Sequence, residues 1–237
     1  MIRKCFFFLC VLSITLSQFA AAQMLTQTKY FTGSSNSNGT LTFNQFDRTT
    51  GHLKSISILF YLETFGGRLI LDNDSTSSAS GIFEFGSCGS IGSNDVALLN
   101  PSYSPCLGNV KAIHKQSFSL TADNGDGLAL DSSTPDGLVF NGHPEIAAAT
   151  GFIGETFWNI GKGFLGTSSF GINYSVLQWV DYGPLALMSY AVNPVNFEGF
   201  ITLIYTYQAA PEPATLLFFG LSIAIVRIYP KPYSKRS

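Results

Sequence analysis

From Phe200 to Tyr207 the chain alternates, with Ile201, Leu203, Tyr205 and Tyr207 on one side and Phe200, Thr202, Ile204 and Thr206 on the other. Side chains two positions apart share a face only in extended backbone, so this segment is a strand. Large apolar residues on both faces put that strand inside a sheet, not at its edge. A second alternating run sets Ile56, Ile58, Phe60 and Leu62 against Ser55, Ser57, Leu59 and Tyr61. Gly66-Gly67 predicts a turn after it, with Arg68–Leu71 returning as the second arm of a hairpin. Shorter strands are expected at Leu25–Phe31, Thr40–Phe46, Ile82–Phe85, Val96–Leu99, Gln116–Thr121 and Ser175–Val180. Gly, Asn, Asp and Ser separate them, and no long amphipathic helix interrupts. The expected fold class is all-β, a single sandwich or jelly-roll-like domain. Ala147–Ala149 is expected to join a brief helical turn.

The two ends differ from this body. Arg3 and Lys4 precede an apolar run from Phe6 to Ile14, and Ala20-Ala21-Ala22 offers small residues for cleavage between Ala22 and Gln23. That pattern is a secretory signal peptide over residues 1–22. Residues 23–209 form the folded segment and 210–237 a tail. In the tail, Leu216–Val226 is apolar but shorter than the roughly 20 residues of a comfortable membrane span. It suits a transient helical anchor in the inner membrane, with the following cations on the cytoplasmic side and the body outside.

Ala210-Pro211-Glu212-Pro213-Ala214-Thr215, the apolar run and the basic residues Arg227, Lys231, Lys235 and Arg236 occur in order at the terminus. This tail resembles the PEP-CTERM sorting signal, also labelled an ice-binding-protein C-terminal domain. The resemblance implies that Pro211, Glu212 and Pro213 form the sorting motif and that an exosortase-type membrane enzyme processes the chain. One departure is that Arg227 stands alone where the family has a tight Arg cluster, the other cations being spaced by Pro230, Pro232 and Tyr233. Leu41-Thr42-Phe43-Asn44-Gln45-Phe46-Asp47 followed by Gly51-His52-Leu53-Lys54-Ser55-Ile56 resembles the opening of the choice-of-anchor E domain, and Gly199–Tyr207 resembles its closing strand. That likeness implies an extracellular surface module without an established activity.

Net charge sharpens the choice of partner. Six of the 13 Lys and Arg and one of the 15 acids lie in the terminal segments, leaving seven cations against fourteen acids, a net of −7. An acidic domain repels nucleic acid and anionic lipid. Cys5 and Cys10 leave with the signal peptide, so Cys88 and Cys106 remain and are expected to form one disulfide in an oxidising compartment. Closing that loop contributes roughly 3 kcal/mol by chain entropy.

Candidate sites are sparse. Asp72-Asn73-Asp74, the run Asp123-Asn124-Gly125-Asp126-Gly127, and Asp131 with Asp136 offer oxygens to calcium, with Asp123, Asp126 and Asp131 the nearest to a set. Their spacing misses an EF-hand loop, and the same residues build ordinary turns. No other cofactor is implied. His52, His114 and His143 stand in no catalytic motif; His114, between Lys111 and Lys115, reads as a solvated strand end. Glu145 and Glu155 could pair as glycosidase carboxylates, but a segment with fourteen acids offers such pairs by chance, and the expectation is no enzyme. Trp158, Trp179, Tyr174 and Tyr182 are expected near loops, where rings can stack on sugars, or else in the core. Thr202 and Thr206 alone do not make the regular hydroxyl array that ice binding requires. Sequons at Asn38, Asn73 and Asn173 are expected on exposed turns. The functional expectation is an exported, non-catalytic envelope or matrix protein associated with exopolysaccharide, with a carbohydrate-binding module as the alternative and a glycan-acting enzyme as the outside one.

Overall fold

The computed structural model describes residues 22–99, 109–127, 130, 132–155, 161–183 and 188–210. Residues 1–21 of the expected signal peptide, the sorting motif, the apolar tail, Cys106, Asp131 and Trp158 lie outside the described residues. Among the described residues no helix is long and apolar enough to cross a membrane.

The fold is all-β and its named strands pair antiparallel throughout. Strands β1 (Ala22–Ser34), β11 (Asn196–Ala209), β3 (Gly51–Phe65) and β8 (Glu145–Gly154) form a first sheet in that order. A second sheet runs β2 (Ser37–Asn44), β9 (Ser169–Asp181), β5 (Ala79–Gly92) and β6 (Val110–Leu120). A smaller third sheet contains β10 (Met188–Asn193), β4 (Arg68–Asn73) and β7 (Gly137–Asn141). As its two apolar faces require, β11 lies between β1 and β3.

Alternation drives the layering. On β3 the residues Ile56, Ile58, Phe60 and Leu62 turn inward and are buried, joined from β11 by Ile201, Leu203 and Tyr205. They share one core with Phe43 of β2, Ile91 of β5, Val110 of β6 and Phe170, Ile172 and Val176 of β9, so the first two sheets bury their inner faces together. Each such side chain is worth roughly 1.5–3 kcal/mol of transfer free energy. A second cluster, with Leu69, Leu71, Phe83, Phe85, Phe118 and Phe140, joins the third sheet to the far half of β5 and β6. Gly89 sits where the first two layers come nearest. A Cβ there would stand 2.8 Å from a Leu62 methyl and 3.0 Å from the Phe60 ring.

Several local expectations are corrected. Gly66 and Gly67 do turn the chain, both at positive φ (66° and 77°). Arg68–Leu71 does not return along β3, however, because β11 and β8 already occupy both edges of β3; the chain crosses instead into the third sheet. Ala147–Ala149 is strand, not helix: its small side chains pair across from Leu62, Tyr61 and Phe60 on β3. Pairing overrides the helical preference of alanine here. Val96–Leu99 is no regular strand, yet Val96, Leu98 and Leu99 are buried in the core.

Candidate functional site

The structure scatters most of the expected site residues. Glu145 opens β8 and Glu155 follows its last residue, ten residue steps or about 33 Å apart along the strand, too far for a glycosidase pair. Each meets a histidine instead. Glu155 lies 3.0 Å from His52 Nε2 and accepts from Lys54 Nζ at 3.1 Å, and these bonds hold its carboxyl below the usual range. Glu145 lies 2.8 Å from His114 Nδ1. His114 is therefore no solvated strand end: it is part-buried and stacks on Phe140, with ring centroids 4.9 Å apart. His143 lies 5.5 Å from His114, centroid to centroid.

The acidic clusters serve the backbone. Asp123 Oδ1 accepts from Gly125 N, Asn124 Oδ1 from Asp126 N, and Asp136 Oδ2 from Asn124 N, each at 2.8 Å. These are the side-chain-to-backbone bonds of turns. Asp72 and Asn73 are buried at the end of β4, where the Asn73 amide donates to the carbonyls of Ser77 and Thr121. Among the described residues, no group of three or more His, Cys, Asp or Glu side chains is placed to hold a metal ion. Asn73 is thus not on an exposed turn, whereas Asn38 and Asn173 are exposed but lie within β2 and β9.

The expected sugar-stacking rings are engaged elsewhere. Tyr174 and Trp179 belong to β9 rather than to loops. Tyr174 packs on Phe31 at 4.4 Å, against the core. On the outer face of the second sheet, Trp179 Nε1 donates to Glu84 Oε2 at 2.8 Å, and Lys111 Nζ sits 3.5 Å from the ring centroid. Glu84 also takes an ion pair from Lys115, and the Lys115 and Trp179 bonds together depress its carboxyl below the ordinary value. Tyr182 pairs with Tyr190, centroids 5.2 Å apart, and Tyr190 remains 52% exposed. Cys88, an outward position of β5 opposite Lys111, is half-buried. Near it, Asn38, Thr40, Ser90, Gly92, Asn173 and Ser175 line an open, uncharged depression of about 440 Å3.

The larger surface feature is the outer face of the first sheet. The pairing register lines up Tyr30, Phe200, Tyr61 and Ala148 across its four strands. The next rows are Thr28, Thr202, Leu59 and Thr150, then Thr26, Ile204, Ser57 and Phe152. None of these twelve side chains carries a charge. Tyr61 and Phe200 overlap at 4.8 Å with planes 11° apart, and Tyr30 leans on Phe200 at 5.8 Å. Thr28 and Thr202 hydroxyls bond at 2.9 Å. Tyr30 is 75% exposed, Met24 72% and Ile146 61%. The face thus gathers more threonine than Thr202 and Thr206, although rings and aliphatic chains break any regular hydroxyl lattice.

Charge appears only at the two ends of this face. At one end Glu198 stands directly opposite Glu63 on the neighbouring strand, with no cation of the described residues paired to either. Tyr61 donates to Glu63 at 2.9 Å, and partial burial with that bond raises the phenol above its ordinary value. At the other end a register shift near Tyr207 turns Lys54 outward beside His52 and Glu155. No local motif marks Tyr30, Tyr61 and Phe200; the usable signal was large apolar residues at outward positions of well-alternating strands.

No protein-family model matches the chain, and no curated protein matches it. Among solved structures, the infectious bursal disease virus VP2 subviral particle aligns with 87% of this chain and 49% of its own, at 13% identity and TM-score 0.13. The structure of the Gx strain of that virus aligns with 86% and 48%, at 14% identity and the same TM-score of 0.13. The chain spans about half the length of these viral chains, and likeness at this level is too slight to transfer a fold or a role.

Proposed function

We propose that this protein is an exported, non-catalytic component of the cell envelope or extracellular matrix, a β-sandwich delivered and processed through a PEP-CTERM-type tail. The supporting observation is where the sheet stops. β11 ends at Ala209, and Ala210 leaves the sheet just before the expected motif at Pro211. The described strands thus occupy the interval between the two expected address segments. Ala22, the last residue before the expected cut, is exposed, so it gives up no buried contact when removed. A non-catalytic role is supported by the separation of Glu145 from Glu155 and by the turn-capping roles of Asp123 and Asp136.

The test is the intact mass of the protein purified from its native envelope. A chain starting at Gln23, cut near Pro211–Pro213 and lighter by two hydrogens supports export, processing and a Cys88–Cys106 bridge. Retention of residues 214–237 in the mature protein overturns the sorting reading. A second reading, a carbohydrate-binding module, is favoured by the half-exposed Tyr182–Tyr190 pair. It requires retention on an exopolysaccharide that is lost on Tyr190→Ala while the fold persists.

A further inference from the structure

We propose that the outer face of the first sheet is a self-association surface, on which a second copy of this chain packs face to face about a two-fold axis running across the strands. Four strands at about 4.8 Å spacing and five outward rows at about 6.7 Å span a face of roughly 19 by 33 Å, or about 600 Å2 per copy. Doubled, that is the lower end of a specific interface. Its composition fits a partner of the same kind. Three successive rows carry no charge, and Tyr30, Met24, Ile146 and Phe152 expose apolar surface there. An exposed apolar patch approaching this size is as large as ordinary monomers carry and is often functional.

The ring geometry argues for a protein occupant over a sugar. Tyr61 and Phe200 overlap each other, so the ring surfaces that would stack on a pyranose are partly used between them. The charges argue for a copy of this chain and for its orientation. Glu63 and Glu198, directly opposed on adjacent strands, repel one another with no compensating cation among the described residues. At the far end of the same face Lys54 and His52 share the single acid Glu155, so that end lacks the excess of negative charge found at Glu63 and Glu198. A two-fold axis across the strands, near the Thr202–Leu59 row, brings the acids of each copy over Lys54 and His52 of the other. An axis along the strands would stack acid on acid.

The experiment is sedimentation velocity across a wide concentration range on the protein purified from its envelope, with and without variants. The parent is expected to show a reversible monomer–dimer equilibrium. Tyr30→Lys, at an exposed edge-strand position, is expected to weaken it by about a hundredfold at an unchanged melting temperature. Ile82→Lys, also at a mostly exposed position but on the second sheet, is expected to leave it unchanged. Glu198→Lys and Lys54→Glu should each weaken the dimer, and the double exchange should restore it. The proposal is overturned by a parent that stays monomeric, by a dimer indifferent to Tyr30→Lys, or by a charge exchange that fails to rescue. It is equally overturned if the monomer instead binds phosphatidylglycerol vesicles or exopolysaccharide through Tyr30.

Discussion

Replacing Gln178 by methionine removes a bracket that ties together three separate parts of the chain. Gln178 Oε1 accepts from the Ser35 hydroxyl at 2.7 Å and from Val195 N at 3.0 Å, while Nε2 donates to the Gly86 carbonyl at 3.0 Å. Ser35 closes the β1–β2 turn, Gly86 lies in β5, and Val195 leads into β11. Ser35 and Val195 are 7% and 2% exposed, so water replaces the lost partners poorly. Methionine has nearly the same length and fills the space but offers no comparable polar atoms. Three bonds at about 1 kcal/mol each, plus the cost of leaving a buried N–H and C=O unpaired, give a loss of about 3–5 kcal/mol. For a domain of this size that lowers the melting temperature by about 6–20 °C. Urea denaturation at constant m, with calorimetry beside it, measures both. A loss below about 1 kcal/mol would mean that the bracket is solvated and that the turns hold without it.

Two further predictions concern packing and pH. Gly89→Ala drives a methyl against Leu62 and Phe60 and should cost about 1–3 kcal/mol, whereas Gly92→Ala, where a Cβ meets nothing within 4 Å, should be neutral or slightly stabilising; paired urea melts decide, and equal effects refute the close approach. Because folding depresses the Glu84 carboxyl, its contribution is fully present above the ordinary value of about 4.3 and fades as pH falls through the depressed one; Glu84→Gln should therefore lose stability at neutral pH and converge on the parent in acid, and a gap that persists in acid refutes the Lys115 and Trp179 account.

The sequence shows those parts of the fold that depend on one strand at a time. The alternation through Phe60 and Leu62, and the two-faced apolar character of β11, are local properties and survive into the structure unchanged. Partnership is not local. Whether Arg68–Leu71 returns beside β3 depends on whether β11 and β8 have already taken its edges, a fact written more than seventy residues away. For the same reason the row Tyr30–Phe200–Tyr61 is invisible to a reading along the chain, since its members come from three strands brought into line only by register. His114 misled through its neighbours: the flanking lysines face outward, while the imidazole between them turns toward Phe140 and Glu145. Composition reads as surface what geometry makes a part-buried contact.

The placement of β1 beside β11 has a consequence in time. β1 pairs with no strand of the first sheet except β11, and 162 positions separate Ser34 from Asn196 at the end of that ladder. At ordinary elongation rates of about 5–20 residues per second, the first strand waits roughly 8 to 30 seconds for its partner to be made. Throughout that interval the first sheet lacks its middle, and β3 has only β8 to lean on. A chain wired in this way cannot close early, so it stays threadable until its last strand has been synthesised. Under the export proposed above, a delay of this kind is built into the order of the strands.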